Sequence, residues 1–196
     1  MAPAGEVDTA RGEFWVGDPF NYPAHLNLSA YERNAVLLNL GGLRFLEVGY
    51  LSGADSDGDA RGVLVADCDG DLAPDLIVRQ LGGGALRVYA NRFPAARRLV
   101  VSLEGGASNR LGIGARLVAQ VSGRTITRDL FPANNFRAQQ GSFVEFGLGD
   151  AERVDRLQIR WPSGLVQELA SVEGNRHIRI KEGVEAYEVL RVGRGG

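Results

Sequence analysis

The sequence contains very little cysteine, methionine, lysine or histidine. Its 196 residues include one cysteine (Cys68), one methionine, one lysine (Lys181) and two histidines (His25 and His177). A single cysteine excludes an intramolecular disulfide, and so few nitrogen and sulfur ligands argue against a transition-metal centre. No apolar run approaches the roughly 20 residues of a membrane-spanning helix, so no membrane span is expected. The first residues have neither the basic nor the apolar region of a secretory signal peptide, and none is predicted in this chain.

Glycine and acidic residues are the unusual part of the composition. The 27 glycines are about 14% of the chain, roughly twice the usual share, and with 7 prolines they predict many tight turns and few long helices. Seven of the 24 acidic residues lie between Asp55 and Asp75, where Arg61 is the only basic residue. The other arginines are scattered, and because they form no basic block, binding to nucleic acid is not predicted.

Short apolar runs separated by turn residues predict β-strands along most of the chain. The clearest case is the alternation of Leu157, Ile159 and Trp161 with polar residues, which is typical of a half-buried strand. Pro162 and Gly164 then predict a turn that leads into a partner strand. The sequence therefore predicts an all-β fold. The other predicted strands are 36–38, 45–48, 62–66, 76–78, 86–89, 99–101, 165–169, 178–180 and 187–190.

Three parts are predicted along the chain: an irregular N-terminal arm at 1–33, a region of β-hairpins at 34–105 and a β-sandwich at 106–196. Asn39 and Asn91 each end an apolar strand, and their offset of 52 residues suits a propeller-type repeat. Because 196 residues cannot hold a full propeller, we expect propeller-blade-like hairpins packed with the sandwich. The expected sandwich core includes Ile113, Phe146, Leu148, Leu157, Ile159 and Trp161.

The N-terminal arm is too apolar for a free tail. It carries Phe14, Trp15, Val16, Phe20 and Tyr22. We expect the arm to pack on a β-sheet, either of its own chain or of a neighbouring copy. Self-association through the arm or through an uncovered strand edge is therefore a predicted property.

The strongest functional signal is a row of aspartates. Asp67, Asp69, Asp71 and Asp75 occupy relative positions 1, 3, 5 and 9, and Ala73 offers its backbone carbonyl at position 7. Calcium takes 6 to 8 oxygen ligands, and an alternating loop can wrap them around one ion, whereas magnesium keeps several waters. Four carboxylates this close repel one another unless a cation lies between them. The sequence predicts that these five residues bind Ca²⁺.

The surroundings of this row distinguish it from an EF-hand. Position 12 is Val78 instead of a bidentate glutamate, and both flanks are predicted strands. A second cluster lies upstream at Asp55, Asp57 and Asp59. These residues could complete the first site, hold a second ion, or form a polar turn with Asp59 paired to Arg61.

Two parts of the chain resemble known families. Residues 53–91, with Asp59–Gly62 and Val65–Asp71, resemble the FG-GAP/VCBS calcium-loop repeat. The later part resembles the ASPIC/UnbV domain, which usually follows such repeats in secreted or cell-surface proteins of the cartilage acidic protein-like family. The resemblance implies a calcium-binding β module that is secreted or lies at the cell surface. A cytoplasmic location is left open. Its motifs are Ser108–Arg116, Phe146–Gly149, Val154–Leu157 and Arg160–Gly164.

The chain departs from both family patterns. Leu72 stands where the calcium loop normally has glycine, and a bulky residue there costs on the order of 1 kcal/mol or forces another loop path. Pro74 restricts the loop further. Glu145 replaces a common histidine before the Phe-Gly-Leu-Gly motif, and the segment 134–139 lacks the family's serine.

No catalytic motif supports an enzyme. Ser163 lies in a predicted turn and not in a Gly-x-Ser-x-Gly elbow, and Gly112-Ile113-Gly114 lacks the third glycine of a dinucleotide loop. The predicted function is a non-catalytic calcium-binding β module for extracellular binding, adhesion or assembly. The alternative is an accessory or enzymatic component of a natural-product pathway, since UnbV-type proteins resemble components encoded near enediyne polyketide pathways.

Overall fold

The fold was analysed in a computed structural model, which describes residues 5–6, 26–27, 33–58, 60–80, 85–93, 96–133, 135 and 138–193. Regular structure in these residues is strand, apart from one helical turn, α1 (Gly49–Ser52). The predicted all-β class is therefore confirmed. Among the helices described there, none is long and apolar enough to cross a membrane. The predicted packing of the arm falls on 1–33, most of which lies outside the described residues.

The chain divides into two compact units. One comprises Met1–Leu64, Leu76–Tyr89 and Asn135–Ala138, and the other Val65–Asp75, Ala90–Asn134 and Gln139–Gly196. The aspartate row at 67–75 therefore belongs to the second unit. The predicted division at 33 and 105 stays a prediction.

Short strands in three sheets lie mainly in the first unit. The strands are β1 (Gly5–Glu6), β2 (Leu26–Asn27), β3 (Leu37–Asn39), β4 (Phe45–Glu47), β5 (Ala60–Ala66), β6 (Asp75–Gln80) and β7 (Arg87–Tyr89). The end of β5 and the first residue of β6 fall in the second unit. The sheets have the orders β1-β2, β3-β4 and β5-β6-β7, and the described strands form no closed propeller. The blade-like interpretation of 34–105 thus stays a prediction.

The second unit contains longer strands in two four-stranded sheets. The strands are β8 (Arg97–Glu104), β9 (Arg116–Val121), β10 (Arg124–Asp129), β11 (Phe143–Gly149), β12 (Arg153–Arg160), β13 (Val166–Glu173), β14 (Arg176–Lys181) and β15 (Tyr187–Val192). One sheet has the order β10-β9-β12-β13 and is antiparallel, and the other has the order β11-β8-β14-β15 with β14 parallel to β8.

Alternating side chains of both sheets form one hydrophobic core in the second unit. In β8, for example, Leu99, Val101 and Leu103 are buried in this core, which leaves Arg98 and Ser102 on the opposite face. The same core contains the predicted residues Phe146, Leu148, Leu157, Ile159 and Trp161.

Ile113 is the exception among the predicted core residues, because its side chain is only partly buried. It lies in a tight turn between Gly112 and Gly114, both of which have positive φ angles. The Asn109 side chain bonds both the N–H and the carbonyl of Ile113. The turn geometry, and not apolar packing, determines this position.

Candidate metal centre

Three of the predicted metal ligands converge in the structure. Carboxylate oxygens of Asp67, Asp69 and Asp71 all lie within 4.8 Å of one another. Two oxygens bound to one calcium at about 2.4 Å can be at most about 4.8 Å apart, so this spacing is compatible with a shared ion. The donors are all hard oxygens. The residues present therefore fit calcium, and they do not resemble a zinc or copper site.

The side chains of these aspartates also shape the loop. Asp67 Oδ1 accepts hydrogen bonds from the backbone N–H groups of Gly70 (2.7 Å) and Asp71 (3.1 Å). Its Oδ2 accepts one from Leu72 N (3.1 Å). Asp71 Oδ1 accepts one from Ala73 N (2.6 Å). Hydrogen bonds to Asp67 and Asp71 thus stabilise a loop conformation in which the three carboxylates lie close together.

Leu72 adopts a left-handed backbone conformation, which favours glycine over other residues. Its φ angle is +67°, and its side chain is only 2% exposed. Burial of a leucine side chain contributes about 1.5–3 kcal/mol, which is enough to offset left-handed strain of about 1–2 kcal/mol. Arg98 Nη1 also donates a hydrogen bond to the Leu72 carbonyl (3.1 Å). Burial of the side chain and this hydrogen bond thus stabilise the left-handed conformation at a residue that is not glycine.

Asp75 is not a member of the group of three converging carboxylates, and it is 2% exposed. Its Oδ2 accepts a hydrogen bond from Cys68 N (2.8 Å), and its Oδ1 accepts one from Asn91 N (2.7 Å). Burial would raise the pKa of Asp75, but these backbone donors outweigh it and hold the pKa below its ordinary value. The roles of Asp75 and of the Ala73 carbonyl as calcium ligands stay predictions.

Two arginines contact the converging carboxylates. Arg191 Nη1 lies 2.8 Å from Asp67 Oδ2, and Arg92 Nη1 lies 3.2 Å from Asp69 Oδ2. No local sequence pattern predicts Arg191 as a partner, because it is 124 residues from Asp67 along the chain. Because both guanidinium groups neutralise part of the loop's charge, a cation at the loop competes with them.

The upstream cluster is distinct in its contacts. Asp55 Oδ2 forms an ion pair with Arg33 Nη1 at 2.6 Å. Within the described ranges, the only acidic group with metal-like spacing is the one at 67–71, and it includes neither Asp55 nor Asp57. Asp59 lies outside the described residues, so its predicted pairing with Arg61 is not described.

Two of the later sequence motifs meet at Glu182, because Ser108 and Ser163 both bond its carboxylate. This residue was not predicted from the sequence. Its carboxylate accepts hydrogen bonds from Gly106 N (2.7 Å), Ser108 N (2.7 Å), Ser108 Oγ (2.8 Å) and Ser163 Oγ. One side chain thereby joins the β8–β9 loop to the β12–β13 turn. Burial would raise the pKa of Glu182, but the hydrogen bonds from Ser163, Ser108 and Gly106 lower it to about 2 from 4.5.

This low pKa predicts a pH-dependent contribution to stability. A carboxyl whose pKa is lower in the folded state stabilises the fold above its unfolded pKa, and the contribution is lost as pH falls through the folded pKa. Glu182→Gln should therefore destabilise the protein near neutral pH, and the difference from the parent should shrink between 4.5 and 2. Urea denaturation across this range measures it. Exposed Glu185→Gln is the control, and a pH-independent difference for Glu182→Gln would contradict the prediction.

Two serine contacts bear on catalysis. Ser163 Oγ donates to Glu182 and contacts no histidine among the described residues. Ser102 Oγ and His177 Nε2 are 2.8 Å apart, and burial, with Arg191 and Arg179, lowers the pKa of His177. A nucleophilic serine also needs a group that orients the histidine, and no described carboxylate bonds His177. Among the described residues, the pair therefore has no third member of a catalytic triad.

Comparison with protein-family models agrees with the later resemblance. Residues 105–186 match the family model described as ASPIC and UnbV. The matched range contains Glu182 and the loop and turn that it joins. No curated protein matches the chain.

Proposed function

We propose that this chain is a non-catalytic calcium-binding β module that serves extracellular binding, adhesion or assembly. The observation that supports it is the convergence of Asp67, Asp69 and Asp71 within 4.8 Å. We also propose that residues 53–91, which resemble an FG-GAP/VCBS repeat, belong to blade-like hairpins that precede a β-sandwich.

The charges at the loop limit the affinity that we expect. Calcium has to displace Arg191 from Asp67 Oδ2 or share that oxygen with it, and the loop lacks the bidentate ligand of an EF-hand. We therefore expect a dissociation constant of about 10⁻⁴–10⁻³ M, the class of extracellular calcium modules. Such a site is suited to an environment where calcium is abundant.

A calcium titration tests the proposal. Calcium should raise the melting temperature because it binds the folded state only, and excess chelator should lower it again. Asp69→Asn should abolish the shift, since it removes one of the three carboxylates. Arg191→Gln should tighten calcium binding about threefold or more by removing the competing cation. Isothermal titration calorimetry measures the constants, with exposed Arg153→Gln as the matched control.

Some outcomes would contradict this proposal. A melting curve that does not change in excess chelator would refute the proposed calcium site. Equal calcium affinity for the parent and Asp69→Asn would place the ion elsewhere. A submicromolar constant would show that further ligands, such as Asp55, Asp57 or Asp59, complete the site.

Exposed apolar side chains in the first unit support the assembly part of the proposal. Leu43 is 97% exposed, Tyr50 is 81% exposed and Leu51 is 80% exposed. Large contiguous apolar patches mark contact sites in soluble proteins, and the proposal is that these side chains belong to one. Size-exclusion chromatography with and without calcium shows whether the chain associates with itself.

A second candidate function, a component of a natural-product pathway, is favoured by one observation. The second unit has a groove whose lining combines charged and aromatic side chains, Arg98, Arg128, Glu145, Phe131 and Phe143 among them. Pockets for small molecules combine apolar walls with a few polar groups in this way.

A further inference from the structure

The groove in the second unit has a volume of about 460 Å³. Its floor includes Arg98 of β8 and Glu145 of β11, which alternate with core residues and so face away from the core. Phe131 and Phe143 line it as well. Its volume falls in the range of about 300–1,000 Å³ that is typical of small-molecule sites.

Two arginines in the groove are held by backbone carbonyls and not by carboxylates. Arg98 donates to the carbonyls of Leu72 (3.1 Å) and Ala96 (3.4 Å). Arg128 donates to the carbonyls of Glu145 (3.2 Å) and Thr127 (3.0 Å). Neither guanidinium has an ion-pair partner in the described part of the chain, and each keeps unused N–H donors at Nη2.

The remaining charges leave the groove positive. Arg97 is paired with Glu152, and Asp129 is paired with Arg116. The Glu145 carboxylate has no hydrogen-bond or ion-pair partner in the ranges that the structure describes, although the backbone carbonyl of Glu145 accepts from Arg128. Burial raises the pKa of Glu145, although Arg98 and Arg128 act to lower it. Two unpaired arginines and one carboxyl give the groove a net attraction for an anionic group.

The aromatic side chains provide an apolar surface in the same groove. Phe131 is 59% exposed, and Phe143 is half-buried. A large apolar side chain left open in a concave surface is a binding feature when charged groups lie beside it.

We propose that this groove binds a small organic acid, with its carboxylate on Arg98 and Arg128 and its apolar body against Phe131 and Phe143. Arginine is suited to a carboxylate because its planar donors bond two oxygens at once. Nothing in this inference depends on calcium at the aspartate loop, and it goes beyond the proposed function.

The test uses 3-phenylpropionate, its amide 3-phenylpropionamide and inorganic phosphate as probes. Each is titrated into ¹⁵N-labelled protein with excess calcium, and the backbone amide shifts are followed by NMR. We expect saturable shifts at Gly141 and Gly147 for the acid, with a dissociation constant below about 5 mM. The amide should bind at least about tenfold more weakly, because it lacks the charge that the arginines recognise.

Three variants separate the roles of the side chains. Arg128→Gln should weaken binding of the acid about tenfold. Arg98→Gln should do the same, provided that the protein still folds without the hydrogen bond from Arg98 to the Leu72 carbonyl. Glu145→Gln should strengthen binding about threefold or more, because it removes a like charge. Arg153→Gln, an exposed arginine outside the groove, should leave binding unchanged.

Several results would overturn the inference. They are the absence of saturable shifts with the acid, equal binding of acid and amide, or unchanged binding in a folded Arg128→Gln variant. Phosphate that binds as tightly as the acid would refute the role of the phenylalanines. Unchanged or weaker binding in Glu145→Gln would show that the carboxyl does not face the ligand.

Discussion

Replacing Trp161 with alanine is expected to lower the free energy of unfolding by about 3–5 kcal/mol, because it opens a large cavity in the core. Trp161 is 2% exposed and follows β12, where the core of the second unit is formed. Its Nε1 donates a buried hydrogen bond to Gln167 Oε1 at 2.9 Å. Urea denaturation of the full chain measures the change.

Two further variants separate the parts of this effect. Trp161→Phe keeps most of the apolar volume but removes the N–H, so we expect a loss of about 1–2 kcal/mol. Gln167 keeps other partners in that variant, since Gly183 N donates to its Oε1 and its Nε2 donates to the Val184 carbonyl. Leu165→Ala, at an exposed position beside the same turn, should cost less than about 1 kcal/mol. A loss below that value for Trp161→Ala would mean that the ring is at the surface.

The alternation of polar and apolar residues predicted β12 well because the strand is buried on one face only. Leu157 and Ile159 lie in the core while Arg156 and Arg160 are exposed, as that pattern requires. No strand was predicted at β10, Arg124–Asp129, whose side chains are almost all exposed. Among the described strands it pairs only with β9, at the edge of its sheet, so backbone pairing determines it more than apolar burial.

The spacing of the aspartates placed positions 1, 3 and 5 near one another, and their carboxylates do lie close together in the loop. The part of the same prediction that adds Asp75 at position 9 stays a prediction. The spacing did not predict Arg191 as a partner of Asp67, since that contact is formed only when β15 is in place. The groove was missed for the same reason. Arg98, Arg128 and Glu145 lie on three separate strands, and no local pattern relates them.

Asp75→Ala is expected to lower the free energy of unfolding by about 3–5 kcal/mol, because two backbone donors lose a charged acceptor. Asp75 is 2% exposed, and the N–H groups of Cys68 and Asn91 both donate to it. Asp75→Asn should cost less, since an amide oxygen still accepts one of the two hydrogen bonds. Denaturation is measured in excess chelator, so that bound calcium contributes nothing to the difference.

The comparison with Asp69→Asn decides whether Asp75 acts on the fold or on an ion. Asp69 is exposed and bonds Arg92 at the surface, so in chelator its substitution should cost less than about 1 kcal/mol. In excess calcium it should cost more, because the stabilisation by bound calcium is lost. Asp75→Ala should instead destabilise the protein strongly in both conditions. If its effect appeared only with calcium, the two backbone hydrogen bonds would contribute little and Asp75 would act as a ligand of the ion.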